Sequence, residues 1–316
     1  MRQMLPDSVR VISGPGCPVC VTPAGYIDAA AEIALKNDAQ LLTFGDLVKV
    51  PGIRTSLEKA RAEGAEVRTV ISPLEALKAA RENPERKHVF LAVGFETTAP
   101  ATALAVRHAD EEKLANLTFL PAHKLVPPAL EHLVRNNCKV DAFIYPGHVS
   151  AITGMAPYRK LAEQDVSGVV AGFEAEDLIR AIFAIIQACD RGETFCLNLY
   201  PKVVSEEGNL IAQKLMKDVF EEEDAAWRGI GSLPASGLRL RPPYERFDAW
   251  KAYDIVMDAR EQEGCLCGLV LTGRMEPQDC PLFGKICRPE NPSGACMVSS
   301  EGSCAAAYRY SMGETT

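Results

Sequence analysis

The sequence predicts an α/β fold: two doubly wound, Rossmann-like parallel-sheet lobes followed by a C-terminal cysteine-rich domain. Three observations predict it. Apolar strand-like runs alternate with amphipathic helical runs from the N-terminus to about residue 190. Runs such as "VFLAVGF" (89–95) and "GVVAGF" (168–173) are apolar throughout, which suits parallel strands covered on both faces. From Cys265 onward cysteine, glycine and proline dominate, and the helix and strand periods fade.

In chain order, Val9–Ser13, Ala39–Phe44, Glu66–Ile71 and His88–Phe95 are expected as strands. Helices are expected over Tyr26–Lys36, Ser56–Glu63 and Pro73–Glu82, giving βαβ order. A second set follows: strand Leu117–Pro121, helix Val126–Asn136, strand Asp141–Tyr145, helix Pro157–Glu163, strand Gly168–Phe173 and helix Glu176–Asp190. The acidic run Glu221–Asp224 is expected to end a helix that begins after Asn209, and Gly231–Tyr244 to be a long connection into the tail. The domain boundaries that result are 1–113, 114–195 and 196–316.

Composition narrows the function classes. A chain of 316 residues, 47% hydrophobic, can bury a large core. Its net charge of -8 and the lack of a basic tract exclude nucleic acid or an anionic membrane as the main partner, since either needs a basic face. The stretch Met1–Asp7 has no apolar core after its charge, and no apolar run approaches the roughly 20 residues that span a bilayer. A cytoplasmic protein is expected. In that reducing compartment eleven cysteines point to metal binding or redox chemistry rather than to a disulfide framework.

A faint internal repeat marks possible sites. "AVGFE" ends at Glu96 and "VAGFE" ends at Glu174, each after a strand; "PGCPV" around Cys17 and "PGHVS" around His148 also follow expected strands. Ligands of open α/β sheets bind beyond the carboxyl ends of the strands. Cys17, Cys20, Glu96, His148 and Glu174 are all expected there. The pair in "SGPGCPVCVTP" can be a redox dithiol, half of a metal site, or two small packing residues. With Thr22 as N-cap and Pro23 at the first helical position, the thiols would feel the positive end of a helix. His148 is a ligand or acid–base candidate that can equally cap a buried backbone group, and Glu96 and Glu174 can be helix N-terminal acids. "GFETT" lacks the lysine and glycine spacing of a phosphate loop.

The tail carries six thiols: Cys265, Cys267, Cys280, Cys287, Cys296 and Cys304. A structural zinc site would show two closely spaced pairs, and beyond Cys265-Leu-Cys267 every gap is wide. An iron-sulfur cluster tolerates irregular spacing, because its irons are separate attachment points. Such a cluster beside a spare dithiol could pass single electrons into a two-electron thiol/disulfide couple.

Taken together, "SGPGCPVCVTP", "GFETTAP", "PGHVSAITG", "VAGFE", "NLYPKVVSEEGN", "WRGIG" and "FGKICRPENPSGACMVSSEGSCAAAYRY" resemble the HypD family of [NiFe] hydrogenase maturation proteins over nearly the whole chain. The resemblance implies two similar α/β lobes and a C-terminal [4Fe-4S] domain resembling ferredoxin:thioredoxin reductase. It implies a scaffold on which an Fe(CN)2(CO) group is assembled, with a HypC-like chaperone and HypE as partners. Carried over by position, Cys265, Cys280, Cys287 and Cys304 would hold the cluster, Cys267 and Cys296 would form the dithiol beside it, and Cys17 and Cys20 a second dithiol. One departure stands out: the family's Cys-Gly-Gly-His-type motif does not appear before Leu5-Pro6. The chain as given is therefore expected to keep its cluster but to hold the iron group poorly, through Cys17, Cys20 or His148.

The expected function is assembly scaffold and redox component for the hydrogenase iron centre. Its rivals are an iron-sulfur oxidoreductase acting on an external protein disulfide, and a zinc-stabilised interaction module.

Overall fold

The continuous apolar runs become parallel strands in the computed structural model of the chain, which describes residues 5–6, 8–136, 140–261 and 263–311. Strands β1 (Gln40–Thr43), β2 (Val67–Thr69), β3 (His88–Ala92) and β4 (Leu117–Pro121) form one sheet in the order β2-β1-β3-β4, every neighbour parallel. β3 is buried along its whole length, as a central strand covered on both faces must be. α1 (Pro18–Val21) and α2 (Ala24–Asn37) precede β1, and α3 (Leu57–Ala62), α4 (Leu74–Glu82) and α5 (Ala99–Glu111) lie between the strands. Phe44, Phe90, Phe119 and Phe247 meet edge to face in succession through this core. Burying each such ring contributes roughly 1.5–3 kcal/mol. Asp28 on α2, itself buried, accepts the backbone N–H groups of Ile53, Arg54 and Thr55 and so fixes the loop after β1.

A second parallel sheet has the order β5-β6-β7, with β5 (Ala142–Pro146), β6 (Ser167–Ala171) and β7 (Cys196–Asn198). Its helices are α6 (Val126–Arg135), α7 (Gly147–Thr153), α8 (Ala156–Ala162) and α9 (Ala175–Asp190). Val169, Ala171, Ala181, Ala188 and Phe195 form its core. The chain continues through α10 (Leu210–Val219) into an antiparallel hairpin, β8 (Phe220–Trp227) and β9 (Gly231–Leu240). Three short helices follow, α11 (Ala249–Ala252), α12 (Cys267–Leu271) and α13 (Ser303–Ser311). Residues 13–124 with the described residues from 215 to 311 make one compact unit, and the described residues of 125–214 with those before 13 make the other.

Five expectations are corrected. Val9–Ser13 is irregular, because that segment pairs with no strand of either sheet. Leu117–Pro121, expected to open the second lobe, is the fourth strand of the first sheet, and Cys196–Asn198, expected in the tail, is an edge strand of the second. Apolar runs of this length say that a strand exists and not which sheet it joins. The run Glu221–Asp224 does not end a helix: it lies on β8, whose buried residues are Phe220, Ala225 and Trp227. Gly231–Tyr244 is likewise no loose connection, since β9 occupies 231–240 with Leu233, Leu238 and Leu240 buried. Apolar residues two apart over 238–240 were the sequence signal for that strand.

Candidate functional site

Cys17 and Cys20 sit in a turn built by local chemistry. Pro18 takes the first position of α1, where a missing N–H costs nothing, and Cys17 is the N-cap. The Cys17 Sγ accepts the backbone N–H of Cys20 at 3.3 Å. Thr22, expected as N-cap of the next helix, instead donates its hydroxyl to the Pro18 carbonyl at 2.9 Å and closes α1. Since Val9–Ser13 is no strand, the dithiol is not at a strand end. It is held against the tail of the same unit.

Both thiols are buried, and the pair is electrically asymmetric. The hydrogen bond from Cys20 holds Cys17 below the usual thiol range, helped by Ser299 and by the Cys20 N–H against the opposing cost of burial. Cys20 is pushed well above that range, first because its proton is held by Cys17 and also by burial. Ser299 donates to Asp46 at 3.2 Å, which ties the tail to the loop after β1.

From Cys20 the thiols continue in a row. The Cys20 Sγ lies 3.9 Å from the Ala295 carbonyl and hydrogen-bonds Cys296. Cys296 in turn meets Cys267, and Cys267 meets Cys265. Cys296 is raised well above the thiol range, chiefly by Cys20. Cys267 is lowered by Cys265 but raised more by Cys296 and burial, and ends at about 12. Cys265 is raised, first by its hydrogen bond with Cys267 and then by burial. Burial pushes Cys304 up to about 12.

Cys265, Cys267, Cys280, Cys287, Cys296 and Cys304 all line one small pocket, whose other walls are apolar and include Val270, Leu282, Phe283 and Met297. The pocket depends on close approach at Gly294, where a Cβ would stand 2.4 Å from the Cys265 sulfur. Ser293 N–H donates to the Cys287 Sγ at 3.3 Å. Among the described residues no three His, Cys, Asp or Glu groups close on a single ion position.

The remaining expected residues divide between the units. Glu96 follows β3, buried to 2% exposure beside Phe95. His148 is exposed at the end of β5, where Gly147 is needed because a Cβ would lie 2.4 Å from the Ala171 carbonyl. Its ring stands 4.5 Å from that of Phe173, after β6, and Glu174 follows as the exposed N-cap of α9. His148 and Glu174 are thus at neighbouring strand ends of one sheet, as the carboxyl-end rule expects.

Sequence reasoning missed a second pocket at the end of β4, lined by Tyr26, His123, Lys124, Glu223, Trp250 and Val256 among others. Burial drives His123 down to about 3 and Lys124 down to about 8, and pushes Glu223 up. The signal available was the polar pair His123-Lys124 directly after an apolar strand. Arg228 was also missed, although it lies inside the quoted motif "WRGIG".

A profile of the family described as "HypD: Hydrogenase formation hypA family" matches residues 1–311. The hydrogenase maturation factor HypD2 of Bradyrhizobium diazoefficiens is 44% identical, covering 98% of this chain and 84% of the relative. HypD of Escherichia coli is 44% identical over 100% of this chain and 86% of its own length. HypD of Cupriavidus necator is 42% identical over 98% and 85%.

Proposed function

The chain belongs to the HypD family and is a hydrogenase maturation factor, and from that premise we propose that it works as a scaffold and redox component on which an iron centre carrying cyanide and carbonyl ligands is assembled. The observation that carries this is the row of thiols: a pocket lined by six tail cysteines leads through Cys267 and Cys296 to Cys20 and Cys17.

The pocket fits a [4Fe-4S] cluster by its donor set. Six thiols line it, its other walls are apolar, and Gly294 leaves the Cys265 sulfur room that a Cβ would take. Cys265, Cys280, Cys287 and Cys304 would hold the cluster, which when bound supplies one electron at a time. Cys267 and Cys296 remain as the dithiol between that pocket and the turn. Opening a Cys17–Cys20 disulfide to one thiolate and one thiol takes up two electrons and one proton. Cys17 is arranged to leave as thiolate, and Cys20 to carry the proton.

The substrate iron needs soft or borderline ligands, and Cys17 or Cys20 on one unit, or His148 on the other, are candidate donors of that kind. Glu96 in one unit, and His148 and Glu174 in the other, are the acid–base candidates we assign, each within its own unit. A HypC-like chaperone and HypE are the proposed partners, and the cytoplasm the compartment, where reduced thiols persist. No helix of the described residues is long and apolar enough to cross a membrane. The burial of Cys17 and Cys20 disfavours the alternative of an external disulfide substrate, since both sulfurs would first have to be uncovered.

Anaerobically purified protein should hold about four irons per chain, one for each iron of a cubane. Cys280→Ala and Cys287→Ala should lose them. In complex with a HypC-like partner, the protein should show weak infrared bands of bound cyanide and carbonyl, in line with poor retention of the iron group. Stoichiometric zinc without iron would overturn the cluster, and an absence of those bands under assembly conditions would overturn the scaffold.

A further inference from the structure

The cavity at the end of β4 measures about 320 Å³, within the range of small-ligand sites, and shares no lining residue with the thiol pocket. Tyr26, Trp250 and Met257 give it an apolar side, the two rings meeting edge to face at 5.9 Å. Their polar atoms are turned to the protein. The Tyr26 hydroxyl donates to the Leu120 carbonyl at 2.9 Å, and the Trp250 indole N–H to the Pro121 carbonyl at 3.1 Å. These two rings therefore offer a ligand apolar surface and no free donor.

The charged part of the wall is a cross-strand row. Glu223 of β8 stands opposite Gly237 of β9, and on its other side Gly237 bridges to Lys124. Gly237 leaves the middle of the row without a side chain; a Cβ there would lie 2.6 Å from the Ala225 Cβ and 3.7 Å from the Glu223 Cγ. Lys124 is 5% exposed, and Glu223 stands at the exposed rim. Each feels the other's charge, yet among the described residues neither charged group makes an ion pair or a hydrogen bond. Their charged neighbours are committed elsewhere: Arg239 pairs with Glu221 at 3.0 Å, Asp248 accepts the Trp250 backbone N–H, and Asp224 accepts that of Ala235. Beside Lys124, His123 meets Thr102 through Nε2, and its buried Nδ1 has no partner.

Burying an ammonium with no acceptor is strongly unfavourable, and the cavity is where an acceptor can enter. A plain anion beside Lys124 would be repelled by Glu223 and Asp224, and a plain cation beside Glu223 by Lys124. A ligand that carries both charges avoids both conflicts. We propose that this cavity binds a small zwitterion with an apolar body, an α-amino acid with a large apolar side chain, its carboxylate on Lys124, its ammonium on Glu223 and its side chain against Tyr26 and Trp250. Gly237 keeps the space between the two charged residues open for the ligand's backbone.

The test measures binding of L-phenylalanine to the full chain by calorimetry, beside hydrocinnamate, which lacks the ammonium, and phenethylamine, which lacks the carboxylate. Phenylalanine should bind saturably, and each analogue should bind about tenfold weaker or worse, the worth of one hydrogen bond to a charged group. Lys124→Met should weaken phenylalanine about tenfold and leave phenethylamine no weaker, whereas Glu223→Gln should weaken phenylalanine about tenfold and leave hydrocinnamate no weaker. A lysine with a merely structural role would not give that crossed pattern. Should Lys124→Met not fold, the analogue series on wild type and the exposed Glu223→Gln variant decide the matter. Hydrocinnamate or phenethylamine binding as tightly as phenylalanine would overturn the zwitterion. So would a wild-type protein that shows no saturable binding of phenylalanine up to about 10 mM.

Discussion

Gly94-Phe95-Glu96 and Gly172-Phe173-Glu174 follow parallel strands of the same kind and end in opposite surroundings. After β3, Phe95 is 5% exposed and stacks on Trp227 with ring centroids 6.0 Å apart. After β6, Phe173 is 58% exposed and touches only the exposed ring of His148 among the aromatic side chains described. The tripeptide does not decide this. The β8–β9 hairpin does, because it lays Trp227 over one strand end, while Lys124, after β4, pairs with Gly237 of β9. A repeated motif thus serves a covered, desolvated end in one unit and a water-facing end in the other. The thiol row belongs to the same unit as the covered end.

Removing the cover should have the largest effect. Trp227 is 1% exposed, stacks on Phe95, and donates its indole N–H to Ser236 at 2.9 Å. Trp227→Ala should cost about 3–5 kcal/mol, the usual range for a large buried aromatic, measured by urea denaturation. A loss below about 1 kcal/mol, within the scatter of surface changes, would mean that the hairpin does not seal that end, and the contrast would fail.

Burial at the covered end also sets a pH signature. His123, buried against Thr102, Phe220 and Lys124, titrates at about 3 instead of the ordinary 6.5. Below pH 6.5 the unfolded chain takes a proton there that the folded chain refuses until about 3, so stability falls as the pH drops through that window. The slope contributed is about 1.4 kcal/mol per pH unit. His123→Gln should flatten the decline between pH 6 and 5 relative to wild type. Lys124 works in the opposite range: folded at about 8 against an ordinary 10.5, it makes stability rise with pH between those values. Equal slopes in wild type and His123→Gln would show that water reaches the imidazole.

A third, smaller effect lies inside the dithiol. Cys17 is held low and Cys20 high by the same hydrogen bond. A small alkylating reagent at pH 7 should label Cys17 about tenfold faster than Cys20, since the thiolate is the nucleophile. Cys17→Ser should slow Cys20 little, because Cys20 is already protonated. Equal rates would make the pair symmetric and remove the assigned direction of proton and leaving group.

How much of this was readable from the chain follows from the range of each signal. The parallel strands were legible because β3 and β6 are apolar at every position, a local property. The covered end was not, because Phe95 meets Trp227 across 132 residues of sequence and nothing in "VGFE" announces it. The tail thiols were legible as a set from their number, and Cys20 beside Cys296 was not, since that contact spans two segments with no shared pattern. Thr22 misled for a local reason: its side chain has a nearer acceptor in the Pro18 carbonyl than in the helix that follows. His123 and Lys124 were passed over because a polar pair after a strand usually marks a solvated loop, and only β9 and Trp250 turn this one into a pocket wall.

The smallest predicted effect is the most direct check on the open end. Phe173 has more than half its surface in water, and its one aromatic neighbour, His148, is itself exposed. Truncating such a ring forfeits little burial, so Phe173→Ala should change stability by no more than about 0.5 kcal/mol, the scatter of surface substitutions. Phe95→Ala at the matching position should cost about 3–5 kcal/mol. The ratio between these two numbers, taken from parallel denaturation curves, is the quantity the comparison predicts. If Phe173→Ala costs as much as Phe95→Ala, the ring is covered in the working protein, the two strand ends are alike, and His148 must be treated as a buried group rather than as one that meets its substrate from water.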